Sequence, residues 1–390
     1  MASPRFPIGD AAESTARPAF VQRVVPRQAI PPFAAGVHMS RLISRRSFLS
    51  SVVGAGALAA GVRPGLVHAD DKVVTVTSLG GRWEQSIRTH FAPLFKKRTG
   101  ADVRIVSGGP AQWTSQILAQ PAHPPLDAVD NSEVLAMDLI GKGRVLKLTV
   151  DKVPHLADIP AVFRQTWDDY GVSYQYGSSG IWYDKNKIKQ IPRTWPEFLE
   201  RAGKGEFGKR IAFPDISYPW TPELVWHLAT SLGGSMSNLD PAFAALRKMR
   251  PYVVKFWGTA IEAERLIVSR DAEIGWIWDG RVYAMMDSGD KALDFTRLGP
   301  NTLFSLVPAQ VVKGGNTELA FAWVNTLLDP EPLLKYYQTI QYTPTNPKVV
   351  IPEATRARIM PVSEGVVPDM KELIKATPEI MARWNAEMRG

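Results

Sequence analysis

The chain has 390 residues, of which 45% are hydrophobic and 22% are charged, and it contains no cysteine. This composition is typical of a globular protein long enough for two domains, and the lack of cysteine excludes disulfides, iron–sulfur clusters and thiol catalysis. The net charge is +8, but residues 1–69 hold eight arginines and two acidic residues and so carry +6 of it. The remaining 38 basic and 36 acidic residues nearly balance, so the charge does not indicate a nucleic-acid partner.

Residues 1–69 have the features of an export signal. The paired Arg45 and Arg46 precede a weakly apolar run at 52–62, and the small residue Ala69 stands at the predicted cleavage point. A run of about 11 residues is too short to span a bilayer, which takes about 20. The arginine pair resembles a twin-arginine signal, which bacteria use to export folded proteins. We therefore expect export by the Tat machinery, cleavage after about Ala69 and a periplasmic location.

The first 38 residues are rich in proline, alanine and arginine and show no periodicity. They are predicted to be disordered, or to lie upstream of the true start, since Met39 can serve as the initiator. No cysteine follows the signal, so a lipid anchor on cysteine is not expected.

Three strand–turn–helix units follow the signal. Short apolar runs at 73–77, 103–106 and 126–129 predict strands, and each ends in a turn rich in glycine or in Asn and Ser. A helical pattern follows each turn. Such alternation predicts a parallel sheet, in which ligands bind beyond the carboxyl ends of the strands. The three turns are therefore expected to converge on a ligand site, although simple turn chemistry explains any one of them.

An aromatic stretch is predicted as an extended segment at 171–184. Tyr174 and Tyr176 alternate with polar residues, and more aromatic residues follow a Gly-Ser-Ser-Gly break at 177–180. Glycines let the backbone bend, and aromatic rings offer flat contact surfaces with polar tips. The stretch is either a ligand wall beside a hinge or an ordinary buried strand pair.

A second α/β unit is predicted over 178–275. Thr194 and Glu197 form a capping-box pattern that opens a helix. A strand at 209–213 ends close to Asp215, and a later strand with alternating tryptophans runs directly into a helix at Asp279.

A series of motifs runs in one order along 72–350. They are Gly81-Arg82-Trp83, Lys97-Arg98-Thr99-Gly100, Leu126-Asp127-Ala128-Val129, Gly141-Lys142-Gly143, Val172-Ser173-Tyr174-Gln175-Tyr176-Gly177, Trp182-Tyr183-Asp184-Lys185, Thr194-Trp195-Pro196, Gly275-Trp276-Ile277-Trp278-Asp279-Gly280-Arg281, Val324-Asn325-Thr326-Leu327-Leu328-Asp329-Pro330 and Gln338-Thr339-Ile340-Gln341-Tyr342-Thr343-Pro344-Thr345-Asn346. This order resembles the substrate-binding proteins of ABC importers, in the branch that includes the periplasmic spermidine/putrescine-binding proteins.

The resemblance implies an α/β, two-lobe periplasmic-binding-protein fold of type II, with a ligand cleft between lobes joined by crossing strands. Such lobes close on a hinge around ligand. Lobe I would comprise residues 70–175 and 280–332, lobe II residues 176–279, and the C-terminal helices of 333–390 would pack on lobe II. A monomer without cofactor would capture a small-molecule ligand and deliver it to an inner-membrane permease.

The resemblance to polyamine binders is incomplete at the acidic residues. An aspartate of those proteins matches Asp215, but a nearby glutamate of theirs falls about where Tyr218 stands, and a further aspartate falls in 304–308, which has no acid. Breaking one partner of a buried ion pair costs about 3–5 kcal/mol. We therefore expect a smaller ligand with one amine, alone or together with an acid group. Arg82 or Arg281 can hold a carboxylate, or be structural.

The predicted pocket combines the turns of lobe I with the aromatic residues of both crossings. Asp215 would pair with the amine and the rings would enclose it. The ligand-binding residues predicted in this way are Gly81, Trp83, Gly109, Asn131, Tyr174, Tyr176, Asp215, Tyr218, Trp220, Trp276, Trp278 and Asp279.

The sequence motifs that would indicate other functions are weaker. The segment 203–209 matches a phosphate-binding loop, but Arg210 replaces its Ser or Thr and the segment precedes a strand. Tyr336 and Tyr337 resemble the tyrosine pair of ferric-ion binders but are predicted to pack in a core, and the histidines lack metal-ligand spacing, so no metal site is expected. We expect no enzyme. The alternatives are a periplasmic enzyme or chemosensory ligand-presenting protein on the same fold, or a ferric, thiamine or sugar importer component.

Overall fold

A computed structural model describes residues 72–389, and the predicted export signal and cleavage point lie outside them. The first elements are three β-α units. Their strands are β1 (Val73–Ser78), β2 (Asp102–Ser107) and β3 (Ala128–Asp130). Their helices are α1 (Gly81–Ser86), a π-helical turn (Ile87–Phe91), α2 (Ala92–Thr99), α3 (Pro110–Ala119) and α4 (Glu133–Gly141). The helix predicted after β1 is thus divided, because Pro93 has no N–H for a regular helical bond.

The middle of the chain carries the second α/β unit. Its elements are β4 (Val145–Leu146), a 3₁₀ turn (Pro154–Asp158), α5 (Val162–Gln165), β5 (Val172–Asp184), α6 (Trp195–Gly203), β6 (Ile211–Pro214), α7 (Thr221–Ser231), α8 (Asp240–Met249), a 3₁₀ turn (Arg250–Tyr252), β7 (Val253–Trp257), α9 (Ala260–Ser269) and β8 (Ile274–Trp278). The predicted cap of α6 is confirmed, since the Glu197 N–H donates to the Thr194 hydroxyl at 3.3 Å.

The last third returns to the first sheet and ends in helices. Its elements are α10 (Asp279–Asp287), β9 (Leu293–Thr296), β10 (Thr302–Val312), α11 (Thr317–Leu327), α12 (Pro330–Ile340), β11 (Thr343–Pro344), α13 (Glu353–Arg356), a 3₁₀ turn (Val362–Glu364), β12 (Gly365–Val366) and α14 (Met370–Met388). Within 72–389 no helix combines the length and the apolar character that crossing a membrane requires.

The sheets form the two lobes, and β5 belongs to both. Its first half pairs antiparallel with β10, which also pairs with β3 and β4. Its second half pairs antiparallel with β8 and β9, and β6 lies between β8 and β7. β1 pairs with β2 in parallel and lies beside β3, where the Asp127 N–H donates to the Thr75 carbonyl. The predicted two-lobe α/β fold with crossing strands is confirmed.

Two segments pack differently from the predicted division. β9 was assigned to lobe I with 280–332, but it is hydrogen-bonded to 181–184 of β5 in the second lobe. α12 was expected on lobe II, but it packs on α1 of the first lobe. The cause is aromatic packing, since the Tyr336 ring lies 5.2 Å from that of Phe91 and 5.8 Å from that of Tyr174. α14 packs on α7 and α8 and also touches α4.

The Gly-Ser-Ser-Gly segment does not break the strand, because β5 runs through it without interruption. The glycines serve close approach instead. A Cβ on Gly177 would overlap the Tyr342 ring, and one on Gly180 would overlap the Phe295 ring and the Thr296 carbonyl oxygen. The two serines between them are buried and hydrogen-bonded across the sheet. The segment is therefore a tightly packed crossing between the lobes.

Replacing Gly180 with alanine should destabilise the protein by about 2–3 kcal/mol, because the added methyl group meets backbone as well as a ring. Urea unfolding of the variant and the wild type measures the change. Gly141→Ala is the matched control, since its Cβ would meet nothing within 4 Å at the end of α4, and it should be neutral or slightly stabilising. Equal midpoints for Gly180→Ala and the wild type would contradict the close packing.

Candidate functional site

A cavity of about 440 Å³ lies between the two lobes. Nine aromatic rings contribute to its walls beside aliphatic and polar residues, which makes it suited to the faces and stem of an organic ligand. The rings that line it are Trp83, Trp113, Tyr174, Tyr176, Tyr218, Trp220, Trp278, Tyr336 and Tyr342. Trp83 and Tyr174 come from the first lobe, and Tyr218 and Trp220 come from the loop after β6 in the second lobe.

Hydrogen bonds fix several of these rings. The Tyr176 hydroxyl donates to the Met360 carbonyl at 2.8 Å, and the Trp278 indole N–H donates to the Tyr218 hydroxyl at 3.2 Å. The Tyr218 ring also packs edge-on against Trp257 at 4.8 Å. Because these contacts restrict the side chains, less conformational entropy would be lost when a ligand binds.

The structure brings most of the predicted pocket residues to this cavity. Those that line it are Trp83, Gly109, Tyr174, Tyr176, Tyr218, Trp220 and Trp278. Those that do not are Gly81, Asn131, Asp215, Trp276 and Asp279. The contribution of the lining residues to binding stays a prediction, and the other five residues have local structural roles.

Asp215 does not face the cavity, contrary to its predicted role. Its carboxylate accepts from Arg389, with Nε at 3.3 Å, and from the Ser217 N–H at 3.0 Å. Burial alone would raise the pKa of Asp215, but the hydrogen bonds from Arg389 and Ser217 outweigh it and lower the pKa. This aspartate shapes the loop before α7 and anchors the end of the chain.

Asp279 and Trp276 support the strand crossing instead of lining the cavity. The Asp279 carboxylate accepts from the N–H and the hydroxyl of Ser178 and from Arg297 Nη2 at 3.4 Å. Burial raises its pKa, against the effect of the Arg297 charge and these hydrogen bonds. The Trp276 indole N–H donates to the Ser179 hydroxyl at 2.7 Å. Both side chains therefore tie β8 and α10 to the centre of β5.

Asn131 and Gly81 are also used locally. The Asn131 amide donates to the Thr114 hydroxyl at 3.0 Å, and its carbonyl accepts from the Ser132 N–H at 3.1 Å. Gly81 starts α1 with a positive φ of 53°, a conformation that glycine adopts without strain. Each residue forms a turn, and the turn at Asn131 follows Asp130, which lines the cavity.

Asp130 is the cavity acid that the sequence reasoning missed. It is the last residue of β3, it lines the cavity, and its carboxylate accepts from the Tyr174 hydroxyl at 3.0 Å. Burial raises the pKa of Asp130 to about 7, although the hydrogen bond from Tyr174 acts in the opposite direction. The sequence feature that pointed to this place is the turn after the strand, from which Asn131 is predicted as a ligand-binding residue. Alternation along β3 points the neighbouring side chain into the cavity.

Arg281 is the positively charged residue that lines the cavity. It is buried, its Nη1 donates to Glu264 Oε1 at 2.6 Å, and its guanidinium lies 4.3 Å from the centre of the Trp83 ring. Arg82 approaches the same glutamate at 3.7 Å but does not line the cavity. Of the two arginines considered for an acid group, only Arg281 is therefore placed to meet a ligand.

One tyrosine of the pair that resembles ferric-ion binders reaches the cavity. Residues 72–389 contain no group of three or more His, Cys, Asp or Glu side chains placed to hold a metal ion. Tyr336 does line the cavity, against the expectation that it would lie away from the cleft, and it also packs on Phe91 and Tyr174.

The family described as bacterial extracellular solute-binding protein matches residues 92–361. The chain belongs to this family. A solved structure described as an extracellular solute-binding protein from Bordetella parapertussis is 29% identical, with a TM-score of 0.70, and covers 82% of this chain and all of the other. This chain is therefore an extracellular solute-binding protein of the ABC-transporter type.

Two further relatives carry names that mention amines. A norspermidine sensor from Vibrio cholerae is 22% identical over 174 residues, which cover 45% of this chain. The match spans about half, 48%, of the sensor's own length. A protein described as a spermidine/putrescine ABC transporter from Listeria monocytogenes is 20% identical with a TM-score of 0.65, and covers 80% of this chain and 99% of the other. The second likeness shows the fold alone.

A buried carboxyl pair lies close to the cavity. Glu133 begins α4 in the first lobe, and Glu223 lies in the first turn of α7 in the second. Glu133 Oε1 accepts from the Leu306 N–H at 2.6 Å, while its other oxygen and both oxygens of Glu223 have no partner. Burial raises both pKa values, that of Glu223 to about 8, and the charge of Glu223 raises that of Glu133 further. An ionised pair is therefore unfavourable here.

Glu223→Gln should stabilise the folded protein increasingly as the pH rises. The pKa of Glu223 is raised from 4.5 to about 8 on folding, so the wild type loses stability as the pH rises through this range and the glutamine variant does not. The gain should be near zero at pH 4 and about 2–4 kcal/mol at pH 9.

Chemical unfolding of both proteins from pH 4 to 9 measures the difference. Glu318→Gln, on the exposed face of α11, is the control and should leave the pH profile unchanged. A gain for Glu223→Gln that does not change with pH would contradict the buried-acid explanation.

Proposed function

We propose that this protein captures a small amine-containing solute between its lobes and delivers it to an inner-membrane ABC permease. The observation that carries the proposal is Asp130, the one acid among the described residues that line this cavity, where several aromatic rings also lie. A carboxylate in such a box is complementary to a single ammonium group.

Two interactions would select the ammonium. A charge-assisted hydrogen bond to Asp130 is stronger than a neutral one. The faces of tyrosine and tryptophan attract cations by about 0.5–2 kcal/mol each, most strongly where water is excluded. A ligand held in this way replaces the water that would otherwise solvate Asp130. The cavity volume of about 440 Å³ lies in the range of small-molecule sites.

Further features support the same assignment. The two relatives named for norspermidine and for spermidine/putrescine have amine ligands in their names. The arginine pair and apolar run before Ala69 support export by the Tat machinery to the periplasm, where such a receptor would meet its solute as a monomer.

A second candidate is a chemosensory protein that presents its bound ligand to a membrane receptor. The observation that favours it is the match to a protein named as a sensor. Uptake separates the two functions, because deletion of the gene would abolish accumulation of the radiolabelled solute only for an importer component.

The ligand class can be tested by thermal melting of the protein against amines, amino acids, polyamines, thiamine, sugars and ferric citrate. A ligand at 1,000 times its dissociation constant adds about 4 kcal/mol, which is several degrees for a protein of this size. Small amines should shift the melt. A shift with a sugar or ferric citrate and with no amine would overturn the proposal.

Asp130→Asn should weaken binding of the best amine by at least about 30-fold, because the ammonium loses its charged partner while the shape of the site is kept. Calorimetric titration measures the change. Asp215→Asn is the matched control, since that carboxylate is outside the cavity and paired with Arg389. A loss of affinity with Asp215→Asn and none with Asp130→Asn would show that Asp215, as the sequence predicts, pairs with the amine.

The affinity for that amine should fall as the pH drops below about 7, the value to which burial raises the pKa of Asp130. The carboxylate must be ionised to bind an ammonium, and alkylamines stay protonated until about pH 10. Binding should be about tenfold weaker at pH 6 than at pH 8. A flat profile in wild-type protein would exclude Asp130 as the ammonium partner.

A further inference from the structure

The cavity presents a buried cationic donor as well as an acid. Arg281 lines the cavity and only 6% of its surface is exposed, yet its Nε–H has no hydrogen-bond partner in the structure. Buried donors are nearly always satisfied, and an unpaired donor of a charged group is especially costly. The Arg281 guanidinium, which lines the cavity, therefore keeps one donor that no described residue satisfies.

The charges around Arg281 do not cancel. Glu264 accepts from Arg281 at 2.6 Å and also approaches Arg82 at 3.7 Å. One carboxylate is shared between two guanidinium groups, so this wall has an excess of one positive charge. Tyr218 and Tyr342, the titratable neighbours of Arg281 in the cavity, are both kept neutral by burial, which raises their pKa values.

The cavity therefore holds one acid, Asp130, and one incompletely paired base, Arg281. A diamine would place its second ammonium against the positive wall. A simple monoamine would leave the Arg281 donor unsatisfied. A ligand with an ammonium and a carboxylate satisfies both groups at once.

From this arrangement we infer that the solute is an amino-acid-like zwitterion whose ammonium binds Asp130 and whose carboxylate binds Arg281. The inference rests on the proposed function, because it takes the ammonium at Asp130 as given. Guanidinium groups pair with carboxylates in a planar geometry. Stacking of the Arg281 guanidinium at 4.3 Å from the Trp83 ring centre restricts its plane before the ligand arrives.

The test compares ligands that share a chain length. Amino acids with a terminal amine, three to six carbons long, are titrated beside the monoamine and the diamine of each length, and α-amino acids are added to the panel. At the best length, the wild-type protein should bind the zwitterion at least tenfold more tightly than the monoamine, and the diamine most weakly. A diamine that binds as tightly as the zwitterion would overturn the inference.

Arg281 variants show whether this residue reads the carboxylate. Arg281→Gln should reduce the preference for zwitterion over monoamine to about twofold or less. Arg281→Lys should restore part of the preference, because it keeps the charge but not the planar donor pair. A residue that acted only by stacking on Trp83 would weaken both ligands equally, and that result would overturn the inference.

Glu264→Gln offers an independent test if the Arg281 variants do not fold. Removing the shared carboxylate increases the positive charge on this wall, so the preference for zwitterion over monoamine should rise at least threefold. An unchanged or lower preference would count against the carboxylate site. If amines bind and a carboxylate on the ligand does not change the affinity, the inference is wrong but the proposed function stands. If no amine binds, the proposed function is wrong as well.

Discussion

The structure depends on one strand that is shared by two sheets. The first half of β5 is hydrogen-bonded to β10 and the second half to β8 and β9, so the lobes are joined through backbone bonds. Ser178 and Ser179 stand where the partners change, and their hydroxyls bond to Asp279 and Trp276. Buried hydrogen bonds of this kind are costly to leave unmade, which fixes the crossing.

This crossing also determines what the cavity can contain. Tyr174 and Tyr176 lie on the first half of β5 and face the cleft, while Trp278 closes β8 immediately before Asp279. The charged groups enter from the ends of other elements, Asp130 from β3 and Arg281 from α10. The aromatic rings on β5 and β8 thus determine the shape of the site, and the charged side chains near the ends of β3 and α10 determine its polarity. This separation suits a fold in which ligand chemistry varies while the frame is kept.

The fold was predictable because its signals are local. Alternating strand and helix patterns gave the α/β class, and the aromatic residues of β5 and the loop after β6 were correctly placed at the cleft. The acidic residue of the cavity, Asp130, was not predictable in the same way. The choice between Asp130 and Asn131 depends on which side of a three-residue strand faces the cavity. The carboxylate of Asp215 is paired instead with Arg389, which lies 174 residues later in the chain. The close packing at Gly177 and Gly180 was not predictable either, because the rings that cover these glycines come from distant segments.

A partly buried acid whose charged form is poorly solvated is unfavourable for folding, and this cost bears on how such a site would respond to a ligand. The pKa of Asp130 is raised by burial, so its ionised form is poorly stabilised until a cation arrives. An ammonium that enters when the lobes are closed removes this penalty, whereas in an open cleft water would already solvate the carboxylate. A ligand shifts a conformational equilibrium only by its differential affinity for the two states. On the proposed function, the destabilised charge at Asp130 and the unpaired donor of Arg281 would both favour closure around a ligand that satisfies them.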